Sequence, residues 1–239
     1  MPAEKPKYVV DVVEVVYDER HWSLFQSMQD KAISIMESLA EHKIRSMVHG
    51  SLARGDVSPT SDIDIVVPYE VSSFMVETAL TRMGRGYFYS KMMVQATPKS
   101  VLKAHIYLEP EVSVTFPLVK MTELEHEFYR FGGALELEGL RDKKRVPGVD
   151  KRLILIEPTE TGHKESPVVG KESVVARKLG VGLSIVKERV RVLTRRDQVG
   201  RTGVYFKREL APFESFEEVF NEVLARDPAI KRRLKKYGR

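Results

Sequence analysis

The chain has 239 residues, a length that fits either one large domain or two small ones. Hydrophobic residues make up 42% of the chain, which is enough for a packed core, and the absence of cysteine excludes disulfides, thiolate catalysis and zinc sites with cysteine ligands. No apolar run approaches the ~18 residues of a membrane-spanning helix, and the N-terminus lacks the pattern of a secretion signal. We therefore expect a cytoplasmic protein with no membrane partner.

The net charge of +5 is unevenly distributed along the chain. Residues 1–140 contain 14 basic and 20 acidic residues, a net charge of −6, whereas residues 141–239 contain 25 basic and 14 acidic residues, a net charge of +11. This asymmetry suggests metal chemistry in the acidic part and contact with a polyanion in the basic part. The alternative is a solvated surface with uneven charge.

The first part of the chain alternates between strand and helix patterns. The valine-rich segment 8–16 predicts a strand, and the apolar spacing of three and four over 20–42 predicts a helix. A short strand is predicted at 44–49 (IRSMVH), and a second helix over 71–83.

The segment VHGSLARGDVSPTSDIDIVVPYE, residues 48–70, begins with a Gly-Ser turn. Ser51 is positioned to cap a short helix starting with LAR, and a helix N-terminus offers unpaired N–H groups that suit phosphate. Gly50 would let a phosphate approach the backbone, and Arg54 would add positive charge. A plain turn with a capping serine is the alternative.

Two aspartates follow, separated by one isoleucine. On a strand, Asp62 and Asp64 point to the same side while Ile63 points to the other. Carboxylates this close repel each other unless a cation lies between them, and magnesium relieves that repulsion while leaving positions for phosphate oxygens. A solvent-facing polar strand edge is the alternative.

Together the two features resemble the nucleotidyltransferase superfamily typified by DNA polymerase beta. Its signature is Gly-Ser, a gap of about ten residues and Asp-x-Asp among apolar residues, matched here directly over residues 44–70 and more loosely to about 118. The resemblance implies a mixed β-sheet flanked by helices, an NTP substrate and two Mg²⁺ ions. Carried over by position, the catalytic metal ligands are Asp62 and Asp64, and the nucleotide-binding residues are Gly50, Ser51, Arg54 and Ser61.

The family usually supplies a third carboxylate from a later strand. The corresponding segment here is EVSVTFP, residues 111–117, with Ser113 at the expected aspartate position. Glu111 and Glu109 have the same parity as Ser113, and we predict Glu111 as the third catalytic carboxylate. The alternative is a chain that transfers slowly or only binds nucleotide.

The middle of the chain predicts further strands and one helix. Residues 102–116 alternate like a half-buried strand, with a break at Pro110 because proline cannot donate a ladder hydrogen bond. A helix is predicted from 121, a strand at 152–157, and a polar loop at 158–167 that would serve as a linker or lid.

Three histidines lie near these features. We favour a structural role for His49, leave the role of His105 on its polar strand face open, and expect His163 to be a solvated loop residue.

The basic part resembles a helix-turn-helix. ESVVARKLGV and SIVKERVRVL predict two helices joined by a glycine turn, and the following LTRRDQVGRTGVYFKREL predicts a wing with its hairpin at Gly200–Gly203. Residues 171–208 contain 11 basic and three acidic residues, and packing against a neighbour is as good an explanation as nucleic-acid binding. A helix and a basic tail follow. The predicted phosphate contacts are Lys187, Arg189, Arg191, Arg195, Arg196 and Arg201.

The predicted fold is α/β (α+β). A nucleotidyltransferase domain over 1–165 would contain the mixed sheet, and a smaller helix-rich, winged-helix-like domain with a basic tail would occupy 166–239. The predicted reaction moves a nucleoside monophosphate from an NTP to an acceptor hydroxyl, with RNA or DNA as a possible acceptor. The alternatives are a non-catalytic nucleotide- or nucleic-acid-binding regulator and a small-molecule or protein adenylyltransferase. The sequence does not set the oligomeric state.

Overall fold

A computed structural model describes residues 12–82, 88–200 and 203–237. The chain forms two compact units, each drawn from three separate stretches. Unit 1 contains the described residues within 1–30, 48–61 and 123–202, and unit 2 contains those within 31–47, 62–122 and 203–239. The predicted division after residue 165 falls inside a strand of unit 1, and it stays a prediction.

The described residues form both strands and helices. In chain order they are β1 (Val13–Val16), α1 (Glu19–Glu41), β2 (Met47–His49), α2 (Ser51–Arg54), β3 (Ile63–Val66), α3 (Ser73–Thr81), β4 (Ser90–Gln95), β5 (Leu102–Glu109), β6 (Val112–Pro117), α4 (Glu123–Gly132), β7 (Ala134–Glu136), α5 (Leu137–Arg141), β8 (Gly148–Val149), β9 (Ile154–Thr159), β10 (Gly162–Pro167), α6 (Glu172–Leu179), α7 (Leu183–Val199), β11 (Phe206–Leu210), α8 (Phe216–Arg226) and α9 (Pro228–Tyr237).

Unit 2 contains a mixed sheet with the strand order β11-β4-β5-β6-β3. Strand β3 runs parallel to β6, and the other neighbouring pairs are antiparallel. Helices cover the apolar face, where Phe116 of β6 meets Phe216 of α8 edge to face at 5.6 Å between ring centroids. The mixed α/β fold with helices against the sheet is therefore confirmed.

The predicted alternation over 102–116 holds for one of the two strands in that segment. Strand β5 alternates between buried and half-buried residues, and a turn containing Pro110 leads into β6, as predicted. Strand β6 is buried at all six positions, including Ser113 and Thr115. These hydroxyls can be buried because each bonds another side chain, Asp64 at 3.0 Å and His105 at 2.9 Å.

Unit 1 contains an antiparallel sheet in the order β1-β10-β9-β8. The predicted polar loop at 158–167 was wrong, because this segment is a hairpin formed by the end of β9 and all of β10. The prediction that His163 is a solvated loop residue was also wrong. His163 is buried on β10, where its Nδ1 lies 2.5 Å from the Tyr17 hydroxyl. The strand β10 could not be recognised from the sequence because the residues around His163 are polar and show no apolar alternation. His163 is buried through a side-chain hydrogen bond instead.

Helices α6 and α7 confirm the predicted helix pair, with Gly180 between them in the left-handed conformation at φ 63°. The predicted wing was wrong in its first arm, because α7 continues to Val199. Val190 and Leu193 extend the apolar face of α7 onto the core of unit 1, which favours helix. Strand β11 pairs with β4 in unit 2. Residues 201 and 202 of the predicted hairpin lie outside the described residues.

The basic tail is a helix rather than a solvated extension. Arg233 of α9 is 5% exposed, and its guanidinium donates to the backbone carbonyls of Lys99 and Lys120. Among the helices that the structure describes, none is long and apolar enough to cross a membrane.

Candidate functional site

The two aspartates of the motif lie on one face of the sheet in unit 2. Ile63 and Ile65 are 4% and 0% exposed, whereas Asp62 is exposed and Asp64 half-buried. Burying the two isoleucines requires the aspartates to point to the opposite face of the strand. The predicted common face of Asp62 and Asp64 is therefore present.

A row of three side chains crosses this face from β3 to β5. In the strand register Asp64 pairs with Ser113, and Ser113 pairs with Tyr107. The Ser113 hydroxyl donates to Asp64 Oδ1 at 3.0 Å. Side chains at directly opposed positions of neighbouring strands are about 5 Å apart, so the row places a carboxylate, a hydroxyl and a phenol side by side.

The two candidates for a third carboxylate occupy other places. Glu109 forms an ion pair with Lys31 at 2.7 Å. Glu111 is exposed in the turn before β6, where its carbonyl accepts from the Ile63 amide at 2.7 Å. No three acidic or histidine side chains within the described ranges are grouped closely enough to hold a metal ion. The catalytic role predicted for Glu111 thus gains no support from the geometry and stays a prediction.

The aspartate pair fits a hard divalent cation in part. Magnesium typically takes one or two protein carboxylates and completes its shell with water and substrate phosphates. Asp62 and Asp64 offer two such carboxylates on one strand face, one exposed and one half-buried. The donor set therefore suits Mg²⁺ that arrives with a polyphosphate rather than an ion held by protein groups alone.

Tyr107 is a functional candidate on β5 that sequence reasoning did not single out, and His105, whose role the sequence left open, lies two residues before it on the same strand. Burial, with smaller contributions from Asp64 and Asp62, raises the pKa of the Tyr107 hydroxyl. Burial, with a contribution from Lys103, lowers the pKa of His105 to about 4, so that its imidazole is neutral at physiological pH. The common parity of Tyr107 and Ser113 was the available signal, and only the register shows that the two are neighbours.

The Gly-Ser turn lies in unit 1. Gly50 has φ 84°, a conformation that L-residues rarely adopt, and its amide donates to the Gly133 carbonyl at 2.9 Å. The cap was predicted wrongly: Gly50 is the N-cap of α2, and Ser51 is its first helical residue. Helix α2 has only four residues, so its dipole is small, and a β-carbon at Gly50 would meet no atom within 4 Å.

Two other predicted nucleotide contacts are engaged within unit 1. Arg54 is 6% exposed and donates to the Gly132 carbonyl at 2.6 Å and to Asp56 at 2.9 Å. Ser61 accepts from the Ser58 amide at 2.9 Å and so closes a short turn. These bonds favour a role in shaping the turn over the predicted contact with nucleotide, above all for the buried Arg54.

His49 also has a structural environment. Its Nδ1 lies 3.1 Å from the Gly133 carbonyl oxygen, and its ring meets Tyr129 edge to face at 5.1 Å. The structural role that the sequence favoured for His49 agrees with these contacts.

Helix α7 presents a basic stripe, formed by Lys187, Arg191 and Arg195. Their spacing of four residues places them on one side of the helix, and all three are exposed. Arg196 is also exposed, whereas the guanidinium of Arg189 lies 5.0 Å from the Phe128 ring centroid, and burial lowers its pKa. Arg189 is thus committed to packing, and Arg201 lies outside the described residues.

Comparison with known proteins bears on the segment that contains the aspartates. Residues 30–126 match the family model described as a nucleotidyltransferase domain, which confirms the predicted resemblance for this part of the chain. Among solved structures, the chain is similar to a CCA-adding enzyme in complex with ATP, with 16% identity and a TM-score of 0.34 over 94% of this chain and 51% of that one. The chain thus spans about half the length of that protein. No curated protein sequence matches the chain.

Proposed function

From the nucleotidyltransferase domain at residues 30–126, we propose that the chain transfers a nucleoside monophosphate from an NTP to an acceptor oxygen and releases pyrophosphate. The observation that supports this most directly is that Asp64 of β3 and Asp62 just before it lie on the same face, where β3 runs parallel to β6. A pair of carboxylates on an otherwise apolar strand is costly unless a ligand uses them.

Each part of the motif has a proposed role of its own. Asp62 and Asp64 hold Mg²⁺, which when bound supplies positive charge to the phosphates. Ser113 orients Asp64 by donating to its Oδ1 at 3.0 Å. Gly50 leaves open space in which the triphosphate can approach the backbone, and Ser51 provides a hydroxyl donor for it.

The basic stripe on α7 supports a nucleic-acid partner. Three exposed cations at four-residue spacing follow one side of a 17-residue helix, an arrangement suited to phosphate charge rather than to base recognition. We propose RNA or DNA as the partner of this surface.

A second candidate function is a nucleotide-binding regulator without transferase activity. It is favoured by Ser113, which stands where the family places a carboxylate, and by the lack of a three-carboxylate cluster within the described ranges. Such a protein would bind an NTP with Mg²⁺ and release no pyrophosphate.

The test combines calorimetric titration with ATP and Mg²⁺ and an assay of pyrophosphate release. Asp62→Asn and Asp64→Asn each remove a negative charge with little change of shape, and we expect both to abolish Mg²⁺-dependent ATP binding and turnover. Asp142→Asn is the matched control, because Asp142 is an exposed aspartate paired with Lys144 at 2.8 Å. Melting curves establish that all three variants are folded.

The outcomes separate the two functions. Binding by both aspartate variants equal to that of the parent would show that the metal site is assigned wrongly. Binding by the parent without pyrophosphate release from any NTP would identify the regulator.

A further inference from the structure

The sheet face beside the aspartates has a neutral group where a third negative charge is expected. Ser113 pairs with Asp64 in the register, is 5% exposed, and its hydroxyl is already donated to Asp64. Neither nearby glutamate fills the position: Glu109 is paired with Lys31, and Glu111 is exposed in the turn before β6. The row of Asp64, Ser113 and Tyr107 therefore carries one negative charge fewer than a site with a third carboxylate at position 113.

The next position of the row supplies a hydrogen-bond donor. Tyr107 lies opposite Ser113 and is half-buried, and within the described chain its hydroxyl makes no hydrogen bond. A phenol donates one hydrogen bond and matches an anionic oxygen well. Tyr107 is thus placed to hold a ligand oxygen on the same sheet face as Asp64, with Ser113 between the two.

The same face continues along β5 without a further acid for two more positions. His105 and Lys103 follow Tyr107 at alternate residues, so all three side chains share one side of the strand. Neither the neutral imidazole nor the lysine side chain adds a negative charge that would repel an anion. This part of the sheet face therefore does not oppose a negatively charged acceptor.

We propose that the acceptor is a phosphate monoester, held by Tyr107, rather than the alcohol that the family resemblance predicts. This inference rests on the proposed nucleotidyl transfer. An alcohol must lose its proton during attack and needs a base, which a third carboxylate could provide. A phosphate monoester is already largely ionised at pH 7 because its second pKa is about 6. It needs no base, and a third carboxylate would repel it.

The step is balanced without proton transfer from the acceptor. A lone pair on an acceptor phosphate oxygen forms a bond to the α-phosphorus of the NTP. The bond from the α-phosphorus to the bridging oxygen breaks, and its electron pair leaves with pyrophosphate. The product is a phosphoric anhydride that joins the acceptor to the nucleoside monophosphate.

The experiment compares matched acceptors with the full-length protein. The probes are an oligoribonucleotide with a 3′-phosphate and the same one with a 3′-hydroxyl, together with glycerol phosphate and glycerol. Pyrophosphate release gives the rate, and phosphorus NMR identifies an anhydride product. We expect the phosphorylated member of a pair to react at least about tenfold faster, the scale of one hydrogen bond to a charged group. The pair that reacts distinguishes a nucleic-acid end from a small phosphate.

Two variants assign the preference to the row. Tyr107→Phe should weaken binding of the phosphate probe about tenfold, in calorimetric titrations with Mg²⁺ and a non-hydrolysable ATP analogue, while leaving analogue binding unchanged. Tyr89→Phe is the matched control, because Tyr89 is 66% exposed and outside the row. Ser113→Asp should move the preference toward the hydroxyl probes. If the buried carboxylate prevents folding, Tyr107→Phe alone decides.

The possible failures are distinguishable. Equal or faster reaction of the hydroxyl probes, or unchanged phosphate binding in Tyr107→Phe, overturns the inference and leaves nucleotidyl transfer standing. Absence of Mg²⁺-dependent ATP binding in the parent overturns the proposed function, and the inference with it.

Discussion

The two parts of the motif differ in how their polar groups are used. In the Gly-Ser turn, Arg54 is 6% exposed and bonded to two partners, and the Gly50 amide is bonded to Gly133. At strand β3, Asp62 immediately precedes the strand and is exposed, and Asp64 accepts a hydrogen bond from the neutral Ser113. The turn is thus shaped by bonds inside unit 1, whereas the two carboxylates at the strand are exposed or half-buried. A sequence motif joins the two without revealing this difference.

The largest predicted effect is the loss of folding stability when the buried Arg54 of the turn is replaced. Arg54→Met should lower the free energy of unfolding by about 3–5 kcal/mol, because it leaves Asp56 and the Gly132 carbonyl without their buried partner. Urea unfolding measures the change. Where the variant is still folded, its affinity for ATP with Mg²⁺ should equal that of the parent.

Arg130→Met is the control for Arg54. Arg130 is 51% exposed and paired with Glu123, so its loss should cost no more than about 1 kcal/mol. An Arg54 variant that keeps its stability but loses ATP binding would show that the turn, like the strand, serves the ligand.

The free energy of unfolding should fall at acid pH because of His105, which lies on the same sheet as the aspartates. The folded-state pKa of His105, lowered to about 4, lies below its unfolded value of about 6.5. As pH falls from 6.5 to 4, the unfolded state takes up this proton first, so stability is lost in this window and is fully present above it. His105→Gln should flatten the pH dependence by about 2–3 kcal/mol between pH 7 and pH 4.

Urea unfolding at a series of pH values tests the His105 prediction. If the His105→Gln variant keeps the pH dependence of the parent, burial does not hold the His105 imidazole neutral.

The sequence predicted the elements with strong periodicity and the strand of the motif. Helix α1, helices α6 and α7, and the common face of Asp62 and Asp64 follow from spacing alone. The period of a helix or a strand is a local property, and a single sequence is sufficient to read it.

What the sequence missed depends on contacts far apart in the chain. The burial of Arg54 requires the Gly132 carbonyl, 78 residues away, and that of His163 involves Tyr17, 146 residues away. The segment predicted as the second arm of the wing is β11, which pairs instead with β4, more than 100 residues away in the chain. The neighbourhood of Tyr107, Ser113 and Asp64 likewise appears only in the strand register, because parity gives a face and not a neighbour.

A smaller effect would test whether the turn shares the ligand with the strand. Ser51→Ala should weaken binding of ATP with Mg²⁺ by about 1–2 kcal/mol, the scale of a hydrogen bond to a charged group. Ser58→Ala is the matched control, since Ser58 bonds Thr60 and Ser61 within its own turn. Calorimetric titration measures both. Equal affinity in the parent and the Ser51 variant would assign the turn to structure alone.

The smallest predicted effect is on nucleic-acid binding by the basic stripe on α7. This stripe belongs neither to the Gly-Ser turn nor to the strand of the aspartates. If Arg191 and Arg195 each meet a phosphate, changing both to alanine should flatten the log–log salt dependence of nucleic-acid binding by about one to two units, since each neutralised phosphate contributes a slope of about −0.9 on duplex and −0.7 on single strands. Filter binding over a salt series measures the slope, with Arg130→Ala as the control because Glu123 already pairs with that guanidinium. Helix α7 would then bind nucleic acid through charge, and any base preference would survive the double change.

The opposing explanation is that the basic stripe is only the solvated side of a packed helix pair, whose apolar side includes Ile185 and Val186. It forecasts no affinity for RNA or DNA at low salt, and an unchanged melting temperature in the double variant because both arginines are exposed.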